Sequence, residues 1–153
     1  MNSGRLLGID HGLVRIGLAV SDASRMVARE LAIIKRTSNR EDFERINRIA
    51  HEHQVVGIVV GVPFDPEREE RGQRTQATTV KNWVQRFSQT TSLPILLWDE
   101  NLTSVDAQEM ARRQRRKLTD PIDDLAAQVM LQSYLDAVRD GLAPEFPPQE
   151  RNS

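Results

Sequence analysis

The stretch RLLGIDHGLVRIGLAVS, residues 5–21, decides the fold. Two short apolar runs, Arg5 to Asp10 and Arg15 to Ser21, flank a tight connection through Gly12, and a third run, Ala28 to Ile34, follows closely. Such runs read as three strands in a meander. Beyond them, Ser38-Asn39-Arg40-Glu41 is a capping-box pattern, and Phe43, Ile46, Ile49 and Ala50 recur at helical spacing to about His53. Val55 to Val60 is apolar, β-branched and without alternation, as expected of a strand buried on both faces. A long charged loop is expected from Gly61 to Arg74, then a helix from Gln76 to Ser88 with Val80, Trp83, Val84 and Phe87 on its apolar stripe. A strand from Ile95 to Asp99 follows Pro94, and a helix from Thr103 to about Arg116 comes next. Asp120-Pro121 supplies an N-cap and a first-turn proline for a last helix, which runs to about Asp140 with Gly141 just past its end. The order β-β-β-α-β-α-β-α-α predicts an α/β fold: a five-stranded mixed sheet, three antiparallel strands and then parallel ones, flanked by helices.

At 153 residues the chain suits one domain, assigned to residues 1–141, followed by a Pro-rich tail, 142–153, expected to be disordered. Lys and Arg total 21 against 22 Asp and Glu, so gross charge predicts no polyanionic partner. The basic residues are nonetheless eighteen Arg and three Lys, a bias toward the fork that grips phosphate or carboxylate. With no Cys, thiolate metal sites and Cys nucleophiles are excluded, so a metal would be held by oxygen or by the three His, and oxygen favours Mg²⁺ or Mn²⁺. No apolar run approaches the ~20 residues that span a bilayer, and Leu6 to Ile9 is too short for a signal-peptide core. The expected location is cytoplasmic, with no membrane partner.

Three acids stand out. Ala126, Ala127, Met130, Leu131, Tyr134, Leu135 and Val138 lie at helical offsets from Asp123, so Asp123 sits on the buried stripe of its own helix. That placement costs desolvation unless the carboxylate meets a partner or a cation, or the free N–H groups of the first helical turn. Asp10 breaks the first strand, where it could equally bond the hairpin backbone. Glu100 ends the strand after Pro94, at the edge where open α/β sheets bind ligands, although acids also commonly precede helices. Two carboxylates about 4 Å apart repel by ~4 kcal/mol at an effective dielectric near 20, and a divalent cation removes that penalty. Paired oxygen-ligated ions activate water and stabilise the leaving oxygen in phosphodiester hydrolysis, so a metal-dependent nuclease is the sharpest reading of the three acids together.

Five motifs in order, Gly8-Ile9-Asp10-His11-Gly12, Arg15 to Asp22, Ile58 to Pro63, Asp99-Glu100-Asn101-Leu102-Thr103-Ser104 and Ile122 to Ala127, resemble the YqgF/RuvX family of RNase H-like proteins from Leu6 to Leu135. The resemblance implies an RNase H-like fold and a hydrolase acting on phosphodiester bonds. Its role would be processing the 5′ end of pre-16S rRNA or, alternatively, Holliday junction resolution on branched DNA. By motif, Asp10, Glu100 and Asp123 would be the catalytic metal ligands for Mg²⁺ or Mn²⁺. Asn101 stands where the family has Arg, and His11 also departs from its pattern. RuvC-type resolvases carry their second acid at the end of the fourth strand, where this chain has Gly61-Val62-Pro63, so Glu100 must substitute from the neighbouring strand.

Arg15, Thr103, Arg74, Arg112 and Arg113 are the expected substrate contacts. The Arg112 to Lys117 cluster fits phosphate binding and helix-dipole compensation equally well. The partner is a nucleic acid, pre-16S rRNA or branched DNA, with a homodimer left open. A non-catalytic RNA-binding module in ribosome biogenesis is the competing class. Gly8 to Gly12 also resembles the first phosphate loop of actin-like ATPases and sugar kinases, which need two such domains.

Overall fold

The computed structural model describes residues 3–100 and 123–146, with the side chains of Asp123 and Asp124 outside that description. Its strands are β1 (Arg5–His11), β2 (Arg15–Ser21), β3 (Ala28–Lys35), β4 (Val55–Val62) and β5 (Ile95–Asp99). They form one five-stranded sheet in the order β3-β2-β1-β4-β5. β1 pairs antiparallel with β2 and parallel with β4, β2 pairs antiparallel with β3, and β4 pairs parallel with β5. The expected meander and parallel additions are both present.

The helices are α1 (Asn39–Glu52), α2 (Pro66–Glu70), α3 (Gln76–Ser88) and α4 (Asp123–Arg139). Ser38 caps α1, its side chain accepting from the Glu41 N–H at 3.2 Å. His53 is the C-cap of α1, and His51 is exposed in its last turn. The expected Gly61–Arg74 loop is shorter than anticipated, because β4 runs on to Val62 and α2 fills part of the remainder. Its start carries a legible signal, Asp65 as N-cap followed by Pro66 in the first turn. The helix expected from Thr103 to Arg116 lies outside the described residues.

Alternation along the strands divides the core in two. Leu7, Ile9, Ile16, Leu18, Val20, Ile58 and Val60 pack beneath α1 and α3, against Phe43, Ile46, Val80, Trp83 and Phe87. Leu6, Ala19 and Val59 face the other way, against Ala127, Met130, Leu131, Tyr134 and Leu135 of α4. The stripe predicted on the last helix is therefore buried. The tail departs from expectation. Phe146 is 1% exposed and belongs to the α4-side core, and Tyr134 Oη donates to the Pro144 carbonyl at 2.8 Å. Pro and polar composition hides this, because a single aromatic ring anchors the segment where Gly57 leaves room for it: a Cβ on Gly57 would lie 2.7 Å from Phe146 Cε2. Residues 147–153 lie outside the described part.

Candidate active site

β1 and β4 run parallel, with Asp10 opposite Gly61, and Gly61 in turn lies opposite Trp98 of β5. The Glu100 N–H donates to the Val62 carbonyl at 3.1 Å, extending the β4–β5 pairing by one residue. Period-two alternation puts Asp10 with Leu6 and Gly8 on the α4 face, and Glu100 with Leu96 and Trp98 on that same face. The two acids thus come from strands that flank β4, at the carboxyl ends of its parallel neighbours.

Gly61 creates the space between them. A Cβ built there would stand 2.9 Å from Glu100 Oε1 and 2.7 Å from Met130 Cγ. The Glu100 carboxylate therefore occupies the volume that a side chain of β4 would fill. Burial first, and then the negative charges of Asp10 and Asp99, push the Glu100 carboxyl up to about 7. Asp99, the last residue of β5, thus adds its charge to the field at Glu100. The signal for Gly61 was a glycine inside a β-branched run, which marks a close approach.

Asp123 is the first residue of α4, and the buried stripe of that helix packs mainly over β2, β3 and β1, reaching β4 at Val59. Its carboxylate lies outside the described residues, and among those that are described no group of three His, Asp or Glu is arranged to hold a metal ion. Arg15 is exposed at the start of β2, and its alternation with Gly17 and Ala19 puts it on the Asp10 side of the sheet. Arg74 is exposed just before α3 and lines a cavity with His11, on the opposite side. Thr103, Arg112 and Arg113 lie outside the described residues, as does Asn101.

His11 follows Asp10 but points into the α1–α3 layer, 6% exposed, with its ring 4.8 Å from that of Trp83. Burial, together with the nearby Arg36 charge, lowers its pKa to about 4, so it is neutral at physiological pH. It is the last residue of β1 and part of the buried layer, not of the turn that follows. Trp98 is partly buried against the α4-side core, edge-on to Tyr134 and donating from Nε1 to Ser133 Oγ at 2.8 Å.

Residues 4–137 match the family described as "RuvX: Holliday junction resolvase". The chain belongs to the RuvX family. A relative from Thermoanaerobacter pseudethanolicus, named "Putative pre-16S rRNA nuclease", is 42% identical over 139 residues, covering 87% of this chain and 96% of the relative. Another of the same name, from Cereibacter sphaeroides, is 39% identical over 137 residues, covering 88% and 84%. The fold resembles T. thermophilus RuvC solved with a Holliday junction substrate, with a TM-score of 0.62 and 17% identity over 90% of this chain and 97% of that one. The Fowlpox virus resolvase, solved with Holliday junction DNA, gives a TM-score of 0.52 at 12% identity, covering 88% and 98%. Sheet order and strand directions are those of the RNase H-like resolvases, as the motifs of this RuvX chain implied.

Proposed function

We propose that this protein hydrolyses phosphodiester bonds in a nucleic acid, that Asp10, Glu100 and Asp123 are its catalytic acids, and that its substrate is the 5′ region of precursor 16S rRNA. The observation that carries this reading is the Glu100 carboxylate held over Gly61 at the Asp10 strand end, raised to about 7 by burial and by neighbouring negative charge. A half-buried set of oxygen donors with surplus negative charge fits a hard divalent cation. Asp10, Glu100 and Asp123 would hold Mg²⁺ or Mn²⁺, which supplies charge neutralisation and an activated water for attack at phosphorus. Gly61 leaves room for the Glu100 carboxylate beside Met130. Arg15, exposed at the start of β2 on the Asp10 side of the sheet, would grip a phosphate of the bound strand.

The rRNA substrate follows the names of the relatives from Thermoanaerobacter pseudethanolicus and Cereibacter sphaeroides, and an rRNA substrate goes with a cytoplasmic site of action. Among the described residues no helix is long and apolar enough to cross a membrane. The family's description favours a second reading, cleavage of branched DNA at a Holliday junction. The two separate when precursor rRNA and junction DNA are compared under identical Mn²⁺ or Mg²⁺ and salt, with Asp10→Asn as the control. Metal-dependent cleavage of the RNA by the wild type alone is expected. Preferential junction cleavage would transfer the assignment to DNA. Tight RNA binding without single-turnover cleavage would make the protein a binding module, and equal cleavage by Asp10→Asn would expose a contaminant.

A further inference from the structure

On the side of the sheet away from Asp10 and Glu100, a cavity of about 200 Å³ opens between the β1–β2 hairpin, the start of α1 and the flank of α3. Three guanidinium groups, Arg36, Arg74 and Arg86, line it, together with Asn39 and Asn82. Arg36 is held in place. Its Nη1 donates to the Gly12 carbonyl at 3.1 Å, its Nη2 donates to Asn39 Oδ1 at 3.4 Å, and its Nε lies 3.8 Å from the fully buried Asp42. Asp42 also pairs with Arg45 at 2.8 Å, so that one carboxylate is shared between two guanidinium groups. Among the described residues, neither Arg74 nor Arg86 has an ion-pair or side-chain hydrogen-bond partner. Positive charge around the cavity therefore exceeds the negative charge that the protein supplies.

Two lining residues carry unmet hydrogen-bonding capacity. His11 Nε2 and Trp83 Nε1 are buried and without a partner, in side chains that are 6% and 4% exposed. Buried donors and acceptors are nearly always satisfied, by protein, water or ligand, so an orphaned pair beside a cationic cavity points to an occupant rich in oxygen. A second cavity of about 300 Å³ adjoins the first, sharing His11, Arg74 and Thr79 and bordered by Leu13, which is 76% exposed. Together the two approach the size of a small-molecule site, a cationic end joined to an apolar shelf.

We propose that this double cavity binds a phosphate monoester: the phosphoryl group between Arg36, Arg74 and Arg86, and the attached sugar and base toward Leu13. Guanidinium forks match phosphate oxygens in geometry and charge. A diester bridging phosphate would present less charge to three guanidinium groups, so a terminal phosphate suits the cavity better. Such a group could come from the end of a nucleic-acid strand or from a free mononucleotide.

The test is equilibrium binding to the full chain in the absence of divalent metal, which leaves the reading of Asp10 and Glu100 out of play. Short RNA oligonucleotides bearing a 5′-phosphate, a 3′-phosphate or only hydroxyl ends are compared, with a nucleoside monophosphate and inorganic phosphate as competitors. A terminal phosphate is expected to tighten binding about tenfold or more, as charge-assisted bonds to guanidinium do. Arg74→Ala with Arg86→Ala should erase that difference, while Arg48→Ala, the same charge loss at an exposed position on α1, should preserve it. Competition by the monophosphate at matching concentration identifies a free nucleotide as the source; binding confined to the oligonucleotides identifies a strand end. Equal affinity for phosphate and hydroxyl ends, or discrimination that survives the double substitution in a protein of unchanged melting temperature, overturns the proposal. Retention of the phosphate preference by Asp10→Asn supports it, and does so even if no nuclease activity is found.

Discussion

Asp10 and His11 are consecutive in β1, yet the sheet separates them into surroundings of opposite sign. On the α4 side, Asp10 and Glu100 concentrate negative charge, and burial, with the charges of Asp10 and Asp99, drives the Glu100 carboxyl toward its protonated form. On the α1–α3 side, Arg36, Arg74 and Arg86 surround a cavity, and burial with the Arg36 charge holds His11 neutral. The backbone is common to both, so the difference lies in what the flanking helices bring. α4 covers the acids with an apolar stripe, whereas α3 offers Thr79, Asn82 and Arg86 beside Trp83, a polar border to its own apolar face. A strand with one residue on each side can thus present a cation-seeking and an anion-seeking surface one peptide apart.

The sharpest break in this contrast is Asp10→Asn. Metal-dependent cleavage should fall by at least about 10²-fold, the scale of losing a principal electrostatic group, while the melting temperature stays near that of the wild type. Gel assays beside thermal melts read both quantities. Next in size, Phe146→Ala should cost about 3–5 kcal/mol in urea unfolding, because a fully buried ring on the α4 side is removed. A loss under 1 kcal/mol would show that the segment contributes little to that core.

Gly61→Ala drives a methyl into Glu100 Oε1 and Met130 Cγ. Overpacking of this kind costs about 1–3 kcal/mol, and cleavage should fall further than stability because the carboxylate itself is displaced. Unaltered kcat in a folded Gly61→Ala protein would argue against Glu100 as a catalytic acid.

The pH dependence of stability should carry opposite signs on the two sides. Glu100 is raised from 4.5 to about 7 in the fold, so between these values the native state keeps a proton that the unfolded chain has lost, and stability falls as pH rises. His11 is lowered from 6.5 to about 4, so between those values the unfolded chain gains the proton first, and stability rises with pH. The two slopes oppose each other between pH 4.5 and 6.5 in the wild type. Urea midpoints without metal should uncover the rising slope in Glu100→Gln and the falling one in His11→Asn. The smallest effect expected is that of Tyr134→Phe, which removes the 2.8 Å bond to Pro144 at a cost of about 1 kcal/mol.

Much of this was legible in the sequence for local reasons. The β-branched run at Val55 to Val60, the stripe from Ala127 to Leu135 and the Ser38 cap all follow from periods of 2 and 3.6 and from backbone chemistry within a few residues. The same periods set Glu100 and Asp10 at strand ends. The short helix inside the Gly61–Arg74 segment is hidden because charge outweighs the Asp65-Pro66 start signal, and the packing of the tail because composition averages over its one anchoring aromatic ring. Arg36 and Arg86 had no signal at all, since nothing in their neighbourhoods of sequence refers to His11.

By itself, then, the sequence determined which elements form, in what order, and which side of its own strand or helix each residue occupies, because those depend on contacts a few residues long. Only the tertiary structure decided that Glu100 fills the space above Gly61 while Arg36, Arg74 and Arg86 gather on the reverse side around His11. Strand register and helix docking bring distant residues together, and the packing of whole layers sets both.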